Sequence, residues 1–258
     1  MSESFLNYKG PSKLLMTDMD GTMTTENVLL PETFERFCKL KEHGLKVVVV
    51  TGRPAGWGHA IASLWPVDAV VTENGGVTFT KKDGLLKKRF AVADKELPAW
   101  RDKMFEAVAK LQHDIPQMRL STDSAYREVD LAIDWNEDFK LPLEVADEIV
   151  DTLLSQDFVA SRSSVHVNFS PPGFDKYIAS MNLIDELFPE FKTDKEAVLY
   201  VGDSLNDAPM FKGFPNTVGV ANVKQWWDKL PSKPRYLTTK EEGLGFVEMV
   251  DHVLGLLS

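Results

Sequence analysis

Two aspartates stand one residue apart just after a short apolar run, where they could act together on a substrate. Residues 14–16 are apolar, and the chain continues through Thr17 to Asp18, Met19 and Asp20. Two carboxylates held this close repel each other unless a cation or a proton offsets their charge. An acidic turn is the alternative, because the Asp-Gly pair that follows is also common in turns. This stretch alone favours neither interpretation.

Polar residues also follow two later apolar runs. The β-branched run at 45–50 ends at Thr51, and the run at 198–201 is followed by Asp203 and Asp207. Short apolar runs are typical of buried parallel strands, and ligands bind outside the carboxyl ends of such strands. We therefore expect the three polar sets to meet at one edge of a sheet.

The combination favours phosphoryl transfer. That reaction needs an oxygen nucleophile, a hard-cation site made of carboxylates, and donors for the phosphoryl oxygens. The aspartates supply the first two, and Thr51 and Lys176 are candidate donors. Lys176 begins a helical pattern close to the point where the strand and helix pattern resumes. Each element alone is a weak signal, and the ordered set is a strong one.

Composition excludes several classes of protein. The chain has 258 residues and a net charge of −10, which argues against general nucleic-acid binding because that needs a basic face. Cys38 is the single cysteine, so no disulfide framework or zinc cluster is expected. No run approaches 18 apolar residues, and the N-terminus lacks a basic-then-apolar signal. We therefore expect a cytoplasmic protein that binds neither nucleic acid nor membrane.

The order of patterns predicts an α/β fold interrupted by a second unit. Strand and helix patterns alternate over residues 1–83 and again over 171–258, which predicts a doubly wound parallel sheet. Residues 84–170 differ, because each of two helical patterns there is followed by a segment in which apolar and polar residues alternate. The alternation over 126–135 is typical of a half-exposed antiparallel strand. We expect this middle segment to form an inserted α+β unit.

The residues now described resemble the four motifs of the haloacid dehalogenase superfamily. The middle segment resembles the C2-type cap of that superfamily, and its α+β pattern after Glu73 and Asn74 is similar to subgroup IIB. That subgroup includes Cof-like sugar phosphatases, trehalose- and sucrose-phosphate phosphatases, and mannosyl-3-phosphoglycerate phosphatase. The motif stretches are Asp18-Met19-Asp20-Gly21-Thr22, Thr51-Gly52-Arg53, Lys176, and Gly202-Asp203-Ser204-Leu205-Asn206-Asp207.

The resemblance implies a Rossmann-like core with an inserted C2B-type cap, and a role for each matching residue. Asp18 would be the nucleophile that forms an aspartyl-phosphate, and Asp20 the general acid and then the general base. Thr51 and Lys176 would bind the transferring phosphoryl oxygens. The third motif of the subgroup often reads Asn-Lys-Gly, whereas here Lys176 lies between Asp175 and Tyr177, so its neighbours depart from that pattern. Mg²⁺ would be held by Asp18, Asp203 and the backbone carbonyl of Asp20, with Asp207 adjacent. Asn206 would orient this set through hydrogen bonds.

Six further residues are candidates for binding the substrate. Arg53 could instead pair with a surface acid, and the candidates in the middle segment could lie on a solvated strand face. We expect Glu73 and Asn74 to hold a loop near the hinge of the middle segment. The candidates are Gly52, Arg53, Arg127, His166, Asn168 and Asn206.

These features predict a Mg²⁺-dependent phosphatase, monomeric or homodimeric, that acts on a small phosphorylated metabolite. A sugar phosphate is the expected substrate, and the middle segment would close over it. A phosphomutase of the same superfamily is the alternative. In that reaction the phosphoryl group on the aspartate would pass to another hydroxyl and not to water. Two other possibilities are a non-catalytic sugar-phosphate sensor and a receiver-like domain phosphorylated on Asp18.

Overall fold

The computed structural model describes residues 2–82 and 84–257, in which two β-sheets carry helices on their faces. The strands are β1 (Glu3–Ser4), β2 (Leu14–Thr17), β3 (Lys46–Val50), β4 (Ala69–Thr72), β5 (Val77–Lys82), β6 (Leu85–Phe90), β7 (Arg119–Leu120), β8 (Leu131–Asp134), β9 (Val159–Arg162), β10 (His166–Ser170), β11 (Val198–Gly202), β12 (Asn216–Gly219) and β13 (Tyr236–Leu237). The α-helices are α1 (Pro31–Glu42), α2 (Ala55–Leu64), α3 (Leu97–Asp114), α4 (Leu143–Leu154), α5 (Lys176–Leu187), α6 (Ala208–Gly213) and α7 (Glu242–Leu257).

The large sheet has the strand order β1-β13-β12-β11-β2-β3-β4-β5-β6. In this spatial order, the strands from β1 through β13 and β2 to β4 all run parallel to their neighbours. Strands β5 and β6 extend the sheet as an antiparallel hairpin. The residues of β2 and β11 are buried throughout, as expected for central parallel strands with helices on both faces. This arrangement puts the ends of β2, β3 and β11 side by side.

Alternate residues of the central strands face two different cores. Leu14 and Met16 pack with residues of α5 and α6, whereas Leu15 packs with residues of α1, α2 and α7. Because side chains alternate along a strand, helices on both faces require a strand that is apolar at every position. The predicted doubly wound α/β fold is confirmed. In the part of the chain that the structure describes, we find no helix with the length and apolar character needed to span a membrane.

The small sheet is antiparallel, with the order β7-β8-β10-β9. Helices α3 and α4 cover it, with Met104 and Ile149 among the buried residues beneath them. Residues 85–90, which the sequence pattern assigned to the middle segment, instead form β6 and pair with β5 in the large sheet. We refer to residues 91–170 as the insert and to the rest as the core.

The prediction of a half-exposed strand over residues 126–135 is wrong. The strand β8 is shorter, and the side chains on both of its faces are buried. Asp134 accepts hydrogen bonds from three backbone amides of residues 137–139, and Asp130 pairs with Arg127. Asp130 and Asp134 of this alternating segment therefore satisfy their charges inside the protein and not in solvent, whereas Glu128 pairs with Lys88 at the surface.

Candidate active site

The three predicted polar sets meet at the carboxyl edge of the large sheet. The amide of Asp18 donates to the carbonyl of Val201, and the amide of Thr51 donates to that of Val71, so each residue lies just where its strand ends. Oxygens of Asp18, Asp203 and Asp207 lie within 4.8 Å of one another, and all three side chains are buried. The strand order explains this proximity, because β2 pairs with both β3 and β11.

Lys176 links two of these carboxylates. It is the first residue of α5, whose N-terminus is capped by Asp175 through a 2.7 Å hydrogen bond to the amide of Ile178. Its Nζ lies 2.7 Å from Oδ1 of Asp18 and 2.7 Å from Oδ1 of Asp207. Burial alone would lower the pKa of Lys176, but the two carboxylates outweigh burial and raise it. Lys176 is therefore a buried, charged ammonium that offsets part of the acidic cluster.

Asp207 is held by donors on both of its oxygens. Oδ1 accepts from Lys176 and, at 2.5 Å, from the hydroxyl of Tyr200. Oδ2 accepts from the backbone amides of Asp203, at 2.9 Å, and Ser204, at 3.0 Å. Four hydrogen bonds leave this carboxylate little capacity to bind a cation as well. The geometry therefore makes Asp207 a positioning group beside the predicted metal site.

Asp203 has weaker partners. Its oxygens accept from the hydroxyl of Thr22 at 3.3 Å and from the amide of Asn222 at 3.1 Å. Gly21 has a φ of +69°, and a Cβ at that position would lie 2.6 Å from Oδ2 of Asp203, so glycine is required for both reasons. The amide of Asn222 also donates to the carbonyl of Gly21 at 2.9 Å, which fixes the loop that follows Asp20.

The electrostatics of the cluster suit a bound cation. Burial raises the pKa of Asp18 to about 7, although Lys176 opposes the shift. Burial and the neighbouring carboxylates also raise the pKa of Asp203 well above its usual range. Three buried carboxylates face one ammonium, so the cluster favours either protons or a cation. Oxygen ligands in such a set are those that Mg²⁺ prefers.

Asp20 lies apart from this cluster and pairs with Arg53. Nε of Arg53 donates to both oxygens of Asp20, and Nη2 lies 2.7 Å from Oδ1. The guanidinium also lies 4.6 Å from the ring centroid of Trp57 and 2.6 Å from Oε1 of Glu137. Arg53 is only 4% exposed, so the alternative of a surface ion pair does not apply.

Arg127 and Asn168 contact the core through one carbonyl. Nη1 of Arg127 donates to the carbonyl of Gly52 at 3.0 Å, and Nδ2 of Asn168 does so at 3.4 Å. Both side chains also bind Asp130, and Arg127 binds Asp123. They are buried, so the alternative of a solvated strand face does not apply to them. These contacts attach the insert to the loop that carries Thr51.

The other predicted residues are also placed close to this edge. The hydroxyl of Thr51 accepts from the amide of Arg53 at 3.1 Å. Nδ2 of Asn206 donates to Asn74, and Oδ1 of Asn206 accepts from Ser204, so this side chain orders two loops. Nε2 of His166 lies 2.8 Å from Oε2 of Glu137, which connects it to Arg53.

The sequence indicated that Glu73 holds a loop but not that it binds the insert. Its carboxylate accepts from the amide of Ala55 at the start of α2 and from the amides of Glu128, Val129 and Asp130. Glu73 is fully buried and has a φ of +52°, a conformation that is uncommon outside glycine. It therefore fastens the insert to the core beside the cluster.

Two site residues could have been found by the rule used for the others. Asn222 follows the carboxyl end of β12, and Glu137 follows that of β8. A search for polar residues just beyond strand ends would have included both. Asp123 lies in a short 3₁₀ turn, where no comparable signal exists.

Among the cavities lined by both the core and the insert, two reach residues of the site. One, of about 530 Å³, reaches Gly21 and Asp203 on the core side and Trp135 and Ser164 on the insert side. The other, of about 170 Å³, reaches Lys176. Cavities of a few hundred Å³ accommodate small ligands. The insert therefore leaves room for a small molecule at the cluster.

Comparisons with known proteins identify a family and similar folds. A family model described as haloacid dehalogenase-like hydrolase matches residues 15–97 and 99–227. A phosphoglycolate phosphatase of Haloarcula marismortui is 28% identical over 238 residues, which cover 92% of this chain and 95% of the relative. A solved structure of Thermoplasma acidophilum 0175 superposes with a TM-score of 0.70 at 20% identity, covering 95% of this chain and 99% of that one. The C-terminal domain of trehalose-6-phosphate phosphatase from C. albicans superposes with a TM-score of 0.68 at 16% identity, covering 99% and 98%.

Proposed function

Because the chain belongs to the haloacid dehalogenase-like hydrolases and is a phosphatase, we propose that it hydrolyses a sugar phosphate through an aspartyl-phosphate on Asp18, with Mg²⁺. The observation that carries the proposal is the contact of Lys176 with Asp18 beside Asp203, at the carboxyl edge of the large sheet. This arrangement joins a carboxylate nucleophile, a cation that binds phosphoryl oxygens and a site for a metal ion.

Asp18 is suited to attack phosphorus. Lys176 donates to Oδ1, so we assign the attack to Oδ2. The Asp18–phosphorus bond forms as the bond between phosphorus and the leaving oxygen breaks. The ammonium of Lys176 and the hydroxyl of Thr51 would bind phosphoryl oxygens, whose charge spreads in the transition state.

Asp20 is suited to move the proton in both steps. As a general acid it would protonate the leaving oxygen, and as a base it would then accept a proton from the water that attacks phosphorus. The second step breaks the Asp18–phosphorus bond, releases phosphate and returns the proton to Asp20. In the structure Asp20 accepts from Arg53 with both oxygens, as the ionised base form would.

The acidic cluster fits Mg²⁺. The ion would be held by the carboxylates of Asp18 and Asp203 and by the backbone carbonyl of Asp20. Asp207 is committed to four hydrogen bonds and would position its neighbours instead. When bound, Mg²⁺ would offset the repulsion between the Asp18 carboxylate and the phosphoryl oxygens.

The insert supports a small substrate. Because Arg127 and Glu137 contact the loop at Gly52 and Arg53, the edge is covered and a folded protein substrate would not reach it. The fold likeness to trehalose-6-phosphate phosphatase supports a sugar phosphate. The relatives named phosphoglycolate phosphatase supply the alternative, a small phosphorylated acid.

The test measures phosphate release from a panel of sugar phosphates, with Mg²⁺ and with a chelator. We expect metal-dependent release that falls by on the order of 10³-fold or more in Asp18→Asn, because the nucleophile is lost. Asp102→Asn is the matched control, since Asp102 is exposed on α3, away from the edge.

Three results would overturn this proposal. Release that survives Asp18→Asn would exclude Asp18 as the nucleophile. Transfer of the phosphoryl group to a second hydroxyl, without free phosphate, would indicate a mutase. Metal-dependent binding of a sugar phosphate without turnover would indicate a sensor.

A further inference from the structure

Asp20 indicates where the leaving group of the substrate must lie. A general acid acts within hydrogen-bond reach of the oxygen that it protonates. Nη2 of Arg53 lies 2.7 Å from Oδ1 of Asp20 and 2.6 Å from Oε1 of Glu137. Because both carboxylates bind the same nitrogen, a group that receives the proton of Asp20 lies beside Glu137.

The groups around this point are predominantly acidic. Arg53 is bound by Asp20 and Glu137 and lies 3.6 Å from Asp123. Arg127 is bound by Asp123 and Asp130. Each of the two arginines therefore already has two or more carboxylates as partners. A substrate carboxylate placed here would meet like charges, which is unfavourable at short range.

Glu137 is a charged hydrogen-bond acceptor in this position. Burial alone would raise its pKa, but hydrogen bonds from His166 and Arg53 outweigh burial and lower the pKa to about 2. Its side chain is 15% exposed, so the carboxylate is not sealed from solvent as fully as Arg53 beside it, which is 4% exposed. A hydroxyl group can donate to Glu137 and accept from Arg53 at the same time, whereas a carboxylate can only accept.

We propose that Glu137 is a specificity-determining residue that binds a hydroxyl of the leaving group and excludes leaving groups that carry a carboxylate. This rests on the proposed phosphatase reaction and selects hydroxylated substrates over phosphorylated acids. The selection follows from an acceptor, Glu137, beside an arginine whose charge the protein itself neutralises.

The decisive probes are 2-hydroxyethyl phosphate and 2-phosphoglycolate, which differ only in a hydroxymethyl group against a carboxylate. With wild-type protein and Mg²⁺, we expect kcat/KM to be about 10- to 100-fold higher for 2-hydroxyethyl phosphate. That range corresponds to one hydrogen bond to a charged group. This arm needs no variant and so does not depend on how a substitution folds.

Glu137→Gln keeps the size of the side chain and removes its charge. We expect the preference between the two probes to fall to within about threefold, because the repulsion and the charged acceptor are both lost. Glu144→Gln is the matched control, since Glu144 is exposed in the first turn of α4, and we expect it to retain the wild-type preference.

The outcomes separate this inference from the function on which it depends. A wild-type preference for 2-phosphoglycolate would overturn the inference, and so would a preference that Glu137→Gln leaves unchanged. In both cases phosphate release itself would still support the phosphatase mechanism. If wild type releases no phosphate from either probe or from the sugar phosphate panel, the proposed function fails first.

Discussion

At the scale of single residues, Asp20 offers a test that separates the two halves of the reaction. We expect Asp20→Asn to release about one equivalent of nitrophenolate from p-nitrophenyl phosphate and then to turn over on the order of 10²- to 10⁴-fold more slowly than wild type. Nitrophenolate is a good leaving group and needs no proton, so the first step survives. The second step lacks the base that activates water. Rapid-mixing absorbance would resolve the burst.

Asp18→Asn serves as the control for that burst, because it lacks the nucleophile and should release no nitrophenolate in either phase. Full steady-state activity of Asp20→Asn would exclude Asp20 as the base. If Asp20→Asn lost both the burst and the steady-state turnover, Asp20 would be required for the attack on phosphorus itself. That result would contradict the assignment of Asp20 to proton transfer alone.

Sequence reasoning located individual residues well where a strand determines their position. Asp18, Thr51 and Asp203 follow apolar runs, and parallel pairing brings the ends of such runs together. It could not identify the partners of residues on the insert. The type of Arg127 and its place near a strand do not reveal that its guanidinium binds the carbonyl of Gly52, because that contact depends on how two units pack.

At the scale of elements, a stacked arginine joins the insert to the core. The guanidinium of Arg162, on β9, lies 4.9 Å from the ring centroid of Trp135 and 4.4 Å from that of Trp226. Arg162 and Trp135 belong to the insert, whereas Trp226 belongs to the core. Asp147 lies 3.0 Å from Arg162 and 2.6 Å from Lys229 of the core, which adds a second link.

We expect Trp226→Leu to raise KM for the preferred phosphoester by up to about 30-fold, with a smaller change in kcat. Removing the indole removes a cation–π contact of about 0.5–2 kcal/mol, so a smaller share of molecules has the insert docked. Steady-state kinetics measures both constants. Trp227→Leu is the matched control, because Trp227 is half-buried and stacks with Lys233 instead. An equal rise in KM for both variants would contradict a role specific to this contact.

The elements also indicate why some sequence patterns misled. A segment that alternates between apolar and polar residues has one solvent-exposed face only if its polar residues have no partners inside the protein. Asp130 and Asp134 have such partners, in Arg127 and in backbone amides, so β8 is buried on both faces. Half of the residues of strand β6 are basic, and the strand lies at a sheet edge with most of its residues exposed, so its composition does not indicate that it belongs to the large sheet.

At the scale of the whole molecule, the net negative charge and the buried acidic cluster both oppose folding. The chain carries a formal charge of −10, and three of its carboxylates are buried within 4.8 Å of one another. Without a cation, their repulsion opposes folding, because the unfolded chain separates them in water. A cation that binds only the folded chain would therefore stabilise it.

We expect Mg²⁺ to raise the melting temperature of wild type by about 5–10 °C at one hundred times its Kd, measured at pH 8 by calorimetry. Asp18→Asn should lose this increase, because a carboxylate ligand is gone. With a chelator present, the same variant should melt above wild type. The folded pKa of Asp18, about 7, exceeds its ordinary value near 3.8, so ionisation of Asp18 costs folded wild type stability as pH rises between those values.

Asp18→Asn is expected to lose the increase in melting temperature with Mg²⁺ but to melt above wild type in chelator. These two effects together are more informative than activity alone. Asp102→Asn also removes one negative charge, but from the surface, so it should keep the Mg²⁺ response and melt close to wild type in chelator. A general effect of net charge would shift both variants equally. If Asp18→Asn kept the full Mg²⁺ response, the ion would bind elsewhere. If it melted below wild type in chelator, the contact of Asp18 with Lys176 would outweigh the repulsion within the cluster.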